Sequence, residues 1–419
     1  MPWLEQLRLA IFHHAFIFTP SSGFVSFAHY LALLTTLLTA AGMAWCLVVL
    51  IAAFSFRLSN RKHAAFTPPV SILKPVKGHD EGLYEAFHSH CQQNYTGSYE
   101  LIFGASSEDD SAVADVHRLI AEFPTHSIKL VLCPERLGTN GKVSNLIQML
   151  PHAQHPFILV NDADIRVSPH YLTRILAPFA DEKTGMVTAL YRGRSHGTLG
   201  SILETLGIAT DFVPGVLAAR LVERGIRFGL GSTLAMRRTA LEASGSFPRV
   251  VDQLADDYEL GAGIARAGYT VLLSSEVVET SVPPYRISGF LQHQLRWART
   301  VRDSRKWGYL GLLVTHTLPL ASINVLASGF SFLSLWLLGL AFFLRLGAAM
   351  QVGAGILSDR QVLACLWLLP LRDCVGFFVW IWSFAGNTIH WRGEKFLLKD
   401  GKLHPESNGS PRKSPQHEP

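Results

Sequence analysis

From Leu31 to Phe56 the chain runs for 26 residues without a formal charge. A helix needs ~20 apolar residues to cross a bilayer, so this run is long enough to span one. A secretory signal peptide has an apolar core of only ~7–15 residues behind a basic start. Here the basic residues come after the run (Arg57, Arg61, Lys62), and Arg8 stands alone before it. The feature commits the chain to a membrane anchor near its beginning, and the basic flank orients the next segment toward the cytoplasm. From Gly308 to Leu344 come 37 more uncharged residues, broken by Pro319. A third apolar stretch, Gln361 to Ile389, is interrupted only by Arg372 and Asp373. The tail beyond it carries Arg392, Lys395, Lys399, Lys402, Arg412 and Lys413, again the signature of the cytoplasmic side. Two cytoplasmic ends require an even number of crossings between them. The run 308–344 is therefore read as an interfacial piece up to about Pro319 plus one span, giving three spans in all.

Charged residues make up 16% of the chain, below the ~25% of soluble domains, and most lie in one central block. That distribution excludes an ordinary soluble globule and a polytopic bundle alike. It divides the chain into an anchor and linker (1–66), a soluble domain (67–308), an interfacial and transmembrane region (309–390) and a cytoplasmic tail (391–419). Residues Pro405–Pro419 are rich in Pro, Ser and His and are expected to be disordered. Of the five cysteines, Cys46, Cys365 and Cys374 sit in apolar segments, and no CxxC pair occurs. Neither a disulfide framework nor a zinc site is indicated. The net charge of +5 gathers beside the apolar segments, which fits a membrane surface and not a nucleic acid.

Inside the central block, Val70–Leu73, Leu101–Phe103, Lys129–Leu132 and Phe157–Val160 read as short strands. Between the first three, Asp80–Gln92 and Ser111–Phe123 have helical spacing. This alternation predicts βαβ units and a mostly parallel, Rossmann-like α/β sheet. Ligands of such sheets bind beyond the carboxyl ends of the strands, and the polar clusters fall there: Glu108-Asp109-Asp110 and Asn161-Asp162-Ala163-Asp164.

Asp162 and Asp164 leave a strand one residue apart, so both can turn into a cleft and hold a divalent metal with substrate phosphates. The plain alternative is a turn. Asp256-Asp257-Tyr258-Glu259 opens a helix running to about Ala267; it serves either as capping or as a pair whose repulsion tunes one carboxylate as a general base. Asn140-Gly141-Lys142 begins another helix, where backbone N–H groups and Lys142 suit a phosphate or a base. No P-loop, GxSxG elbow or HExxH is present. In Gln292–Lys306, Arg296, Arg299 and Arg302 recur every three residues, a drifting stripe of cations on a helix, and Trp297 and Trp307 suit a membrane interface. A juxtamembrane basic flank accounts for most of that charge but not for Arg296-Trp297, deeper in the domain.

Together the stretches Val70-Ser-Ile-Leu-Lys-Pro-Val-Lys-Gly78, Val160–Val167, Leu254-Ala-Asp-Asp-Tyr258 and His293-Gln-Leu-Arg-Trp297 resemble family 2-type inverting glycosyltransferases of GT-A fold. More closely they are similar to the ceramide glucosyltransferase family, which includes bacterial hopanoid-biosynthesis glycosyltransferases. The likeness covers roughly 68–310 and the ending Asn387–Phe396 with Trp391-Arg392-Gly393. It implies that Asp110 contacts the nucleotide, Asp162 the metal and diphosphate, and Asp164 completes the DxD. Asp257 takes the place of the base, and Arg296 and Trp297 end a (Q/R)xxRW motif whose first slot holds His293. The implied donor is a UDP-sugar with Mg²⁺ or Mn²⁺, and the implied acceptor a membrane lipid hydroxyl, on ceramide or a hopanoid polyol; glucose and N-acetylglucosamine both remain open. The Leu190–Pro214 region is expected on the acceptor side. A processive polysaccharide synthase would need more spans for its polymer channel. A non-catalytic binding or scaffold protein would be marked by loss of one of the matched aspartates, and all are present.

Overall fold

The computed structural model describes residues 22–59, 65–391 and 394–405. Arg8, Arg61 and Lys62, Arg392-Gly393 of the resembling ending, and nearly all of the Pro405–Pro419 tail lie outside them.

Helix α1 (Ser22–Leu58) leads into β1 (Val70–Pro75), α2 (Leu83–Cys91), β2 (Tyr99–Ala105), α3 (Ser111–Glu122), β3 (Ser127–Leu132), α4 (Gly141–Met149) and β4 (Phe157–Val160). Next come β5 (Ile165–Arg166), α5 (Tyr171–Leu176), β6 (Thr184–Ser195), α6 (Leu199–Gly207), a π-helical turn (Ile208–Phe212), α7 (Val213–Val222), β7 (Leu234–Arg237), α8 (Arg238–Ala243), α9 (Asp256–Arg266) and β8 (Thr270–Val282). Helices α10 (Ile287–Ser304), α11 (Lys306–Gly311), α12 (Thr317–Ala327), α13 (Phe332–Gly353), α14 (Arg360–Cys365) and α15 (Leu369–Ser383) precede three short strands, β9 (Thr388–Trp391), β10 (Glu394–Lys399) and β11 (Lys402–Pro405).

The main sheet has the order β3-β2-β1-β4-β7-β6-β8-β5. Strands β1 to β4 pair in parallel, as do β6 and β8, while β7 and β5 pair antiparallel to their neighbours. The expected mostly parallel α/β sheet is therefore present. Strand alternation builds its two faces. Val70 and Ile72 of β1, Leu101 and Phe103 of β2 and Leu159 of β4 pack with Leu83, Phe87 and Val116 on one side. Leu73, Ile102, Ile158 and Val160 pack with Val143, Leu146 and Met149 on the other. Both faces are covered, as a parallel sheet requires.

The first core continues without a break into Val49, Ala52, Ala53 and Phe56 of α1 and Val352 of α13. Among the described residues four helices are long and apolar enough to cross a membrane: Phe27–Leu58, Leu199–Val222, Phe332–Gly353 and Arg360–Ser383. A bent pair, Lys306–Thr315 with Thr317–Ala327 at 64°, is a fifth candidate. The break falls at His316 rather than Pro319, which lies in the first turn of α12, where a missing N–H costs nothing. Helix α12 packs on α1, with Thr35 and Thr36 bonded to Asn324 at 3.0 and 2.9 Å. Leu33, Leu34, Leu37, Leu47, Ile51 and Phe54 of α1 stay exposed, a surface suited to lipid and not to water. Leu199–Val222 is by contrast mostly enclosed.

Candidate active site

Because β7 runs against β4, its beginning lies beside the end of β4, with Val160 opposite Leu234. That register brings the Gly229–Thr233 segment alongside the Asp162 turn. Helix α9 then closes from the other side. Gly261 makes the approach possible: a Cβ there would stand 2.3 Å from the Gly229 nitrogen and 2.4 Å from the Phe228 carbonyl carbon. Gly231 is the focus of the resulting group. A Cβ on it would meet Asp162 Oδ2 at 3.1 Å, Asp257 Oδ2 at 3.3 Å and Lys142 Nζ at 3.7 Å.

Lys142, at the start of α4, bonds Asp162 Oδ1 at 2.6 Å and lies 3.5 Å from Asp256 Oδ2. Burial disfavours its charge, but the attraction of Asp162 and Asp256 outweighs that and holds its pKa above the ordinary lysine value. Asn140 caps the same helix and ties it to the α9 side, donating to the Gln253 carbonyl at 2.9 Å and to Asp256 at 3.3 Å.

Asp257 is not an N-cap of α9; Ala255 holds that position and makes no side-chain bond. Its Oδ2 accepts the Gly231 N–H at 2.7 Å and its Oδ1 the Tyr258 N–H at 2.8 Å. Burial first, and then repulsion from Asp256, push its pKa up to about 6 against the opposing pull of Lys142. A carboxylate poised there can take a proton near neutral pH.

Asp164 accepts a hydrogen bond from Thr280 of β8, and burial, then Asp162, raise its pKa to about 6. Beneath the turn, fully buried Lys74 of β1 donates to the Asp162 carbonyl at 3.1 Å. Burial lowers its pKa to about 7, with Asp164 and Asp162 pulling the other way. Asp162 itself keeps 40% of its side chain exposed. The donor set suits Mg²⁺ or Mn²⁺: two carboxylate residues at a strand exit, one open to solvent. Among the described residues no group of three acidic, His or Cys side chains gathers as a metal cage, so the other ligands would be substrate and water oxygens.

Asp110 stands apart from this group. It caps α3 through Ala112 N–H at 3.0 Å and accepts the Gly78 N–H at 2.8 Å, which joins the ends of β1 and β2.

The third part is α10. Trp297 packs on His293 (ring centroids 5.5 Å) and on Phe212 (5.6 Å), and Phe212 on Tyr191 (5.1 Å). Tyr191 belongs to β6, which the Gly229–Thr233 segment bonds through the Ser232 hydroxyl to the Ala189 carbonyl at 3.1 Å; burial, then Asp257 and Glu204, with Asp162 and Asp164 adding, hold its pKa well above the usual value. Tyr285 stacks on His293 at 5.5 Å, and burial, then Glu204, raise its pKa to about 12, with Arg296 opposing. Arg299 and Arg302 do not form a solvent-facing stripe with Arg296. Arg299 donates to the Ala385 and Thr388 carbonyls, and Arg302 to Ser383, Gly386 and Asn387. They anchor the β9–β11 sheet, which bonds the loop before Asp256 through Leu254 N–H to Gly401 (3.2 Å) and Leu403 N–H to Asp252 (3.1 Å).

Sequence reasoning did not single out Gly231, Gly261, Lys74 or Glu204 as site residues. A lysine inside the otherwise uncharged strand Val70–Pro75, and a glutamate inside the otherwise uncharged helix Leu199–Gly207, were the signals available for two of them.

A mostly parallel sheet covered by helices, with an Asp-Ala-Asp turn at the exit of a central strand, is the architecture of a GT-A glycosyltransferase. The model described as Glycosyl transferase family 21 matches residues 28–404, and the chain belongs to that family. Similar curated proteins include ceramide glucosyltransferase 3 of Caenorhabditis elegans, 27% identical over 93% of this chain and 88% of that one. Ceramide glucosyltransferase 1 of the same organism is 25% identical over 84% and 78%. Among solved structures, a mannosyltransferase from Pyrobaculum calidifontis in complex with GDP-Man and Mn²⁺ has a TM-score of 0.53 at 20% identity, covering 85% of this chain and 97% of its own. That likeness concerns the fold.

Proposed function

We propose that this glycosyltransferase moves a sugar, glucose or N-acetylglucosamine, from a UDP-sugar to the hydroxyl of a membrane lipid, ceramide-like or a hopanoid polyol. The observation that carries the reading is the convergence of Lys142, Asp162 and Asp257 on Gly231, whose neighbour Ser232 bonds Ala189 of β6; two residues on, Tyr191 packs on Phe212 and Phe212 on Trp297, whose helix leads to apolar segments. The names of the two nematode relatives support the lipid acceptor.

In this reading Asp110 binds the nucleotide. Asp162 and Asp164 hold Mg²⁺ or Mn²⁺, which when bound neutralises charge on the diphosphate. Asp257 accepts the acceptor's hydroxyl proton as that oxygen attacks the anomeric carbon. The bond to the UDP oxygen breaks with its electrons on the leaving diphosphate, whose growing charge Arg296 and Lys142 receive. One base and no protein nucleophile produce inversion. Trp297 borders the acceptor.

The domain faces the cytoplasm, with α1, α13 and the Arg360–Ser383 stretch as spans and the bent 306–327 pair as a re-entrant piece. Cysteines introduced near Asp110 and at Lys402 should label from the same, cytoplasmic, side; labelling from opposite sides refutes that topology. The activity is tested by incubating membranes that carry the chain with radiolabelled UDP-sugars and extracting lipids. Label in a lipid that depends on the chain is expected; label in polymer alone would reject the lipid acceptor.

A further inference from the structure

Glu204 is a buried carboxylate, 3% exposed, in an otherwise uncharged helix. An isolated charge in such a place is costly, so its partners define what it does. Both oxygens are taken by consecutive residues of α10. His293 Nδ1 lies 3.1 Å from Oε1, and Gln294 donates to Oε2 at 2.9 Å. The anion assigns the His293 proton to Nδ1 and fixes the plane of the ring. That ring lies between two aromatics, stacked on Tyr285 (5.5 Å, 27°) and tilted against Trp297 (5.5 Å, 47°). His293 and Trp297 are one helical turn apart, so the orientation of the imidazole sets the orientation of the indole. Gln294 extends the brace: its oxygen accepts from Arg372 at 2.9 Å, and Arg372 pairs with Asp211 at 3.1 Å. Asp211 pairs with Arg345, which pairs with Asp373. The far end of this chain is fastened in α13 and α15, and the near end at Glu204 is turned to the motif helix.

We propose that Glu204 is a positioning residue for sugar transfer: it locks His293, and through His293 the Trp297 indole, at the acceptor side of the cleft. The proposal rests on the lipid-acceptor reading of the site and extends it. It also gives the histidine in the first slot of the motif a task, that of donor to a buried carboxylate, which a glutamine side chain can also perform.

The test compares the wild type with E204Q, H293A, H293Q and E204Q/H293A, all as full chains in membranes. Initial rates are measured against lipid acceptor, and UDP affinity separately. A misplacement on the scale of 1 Å costs about 100-fold, so E204Q and H293A should each lower kcat/KM for the lipid by about 10- to 100-fold. UDP affinity should stay within about threefold, because the loss falls on one substrate. The double variant should lose no more than either single one, the mark of residues acting through one contact. H293Q should recover most of what H293A loses.

E204Q at wild-type kcat/KM for the lipid would overturn the proposal. So would losses that multiply in the double variant, or UDP affinity falling in step with activity. If E204Q does not fold, the histidine pair decides: H293Q no better than H293A refutes the brace. A wild type that transfers nothing to lipid would refute the proposed lipid glycosylation itself, a result separate from all of these.

Discussion

Replacing Asp257 by Asn removes the base while changing little else in size. Both carboxylate oxygens accept backbone N–H groups, from Gly231 at 2.7 Å and Tyr258 at 2.8 Å. An amide has one acceptor oxygen, so one of those N–H groups will face an NH₂. An unsatisfied buried donor costs about 1–3 kcal/mol, and the variant should lose stability of that order while remaining folded. Transfer should fall ~10²–10⁴-fold, the contribution of a general base, equivalent to about 2.7–5.5 kcal/mol of barrier. UDP binding should persist. Asp256→Asn is the informative partner, because Asp256 supplies the repulsion that, after burial, holds Asp257 at about 6. In the wild type, kcat/KM should fall as pH drops through about 6, where Asp257 gains a proton. Removing the Asp256 charge lowers the Asp257 pKa, so the acid limb should move to lower pH with only a modest loss at neutral pH. The assay is kcat/KM for lipid acceptor across roughly pH 4.5 to 8, which spans the ionisation of a carboxylate base, with thermal unfolding and UDP binding in parallel. An acid limb that stays in place or rises in Asp256→Asn, or transfer by Asp257→Asn equal to that of Asp256→Asn, would refute the assignment.

Excess EDTA should abolish transfer, and Asp162→Asn should weaken UDP binding when Mg²⁺ or Mn²⁺ is present; full activity in EDTA would leave Asp162 as a turn residue. Gly261→Ala places a Cβ 2.3 Å from the Gly229 nitrogen, so α9 must retreat; activity should drop with a stability loss of about 1–3 kcal/mol, read by thermal unfolding. Leu403→Ala should open the small core it shares with Leu254, Ile389, Phe396 and Leu398. That change costs about 2–5 kcal/mol locally, and protease sensitivity near Leu254 should rise as transfer falls.

What the sequence made legible was local. The strand Phe157–Val160 lies at the expected residues, since four consecutive buried apolar residues before a polar turn leave little choice. Helices α3 and α9 begin at the expected Ser111 and Asp256: apolar spacing marks the first, which Asp110 caps, and acidic residues fill the first turn of the second. What pairs across the fold was not legible. Asn140 and Asp256 meet from 116 residues apart, and the close approach of Asp257 to Asp162 runs past Gly231 and Gly261, which carry no side chain to read. Arg299 and Arg302 looked like a membrane flank because their partners, apart from the Asn387 side chain, are backbone carbonyls, which no sequence pattern marks. The β9–β11 sheet went unrecognised because its strands are short and sit beside a basic tail. Glu204 was hidden for a related reason: its meaning comes from His293 and Gln294, distant in the chain.

Single inverting transfer from a nucleotide sugar to a lipid hydroxyl, with Asp257 as base, is tested most directly by the anomeric configuration of the lipid product. Proton NMR reads it after incubation of the purified chain with UDP-sugar and ceramide or a hopanoid polyol. The α-linked donor should yield a β-linked glycolipid carrying one sugar, and Asp257→Asn should yield almost none. An α-linked product would contradict the single-displacement mechanism, and free sugar with no glycolipid would contradict the lipid acceptor.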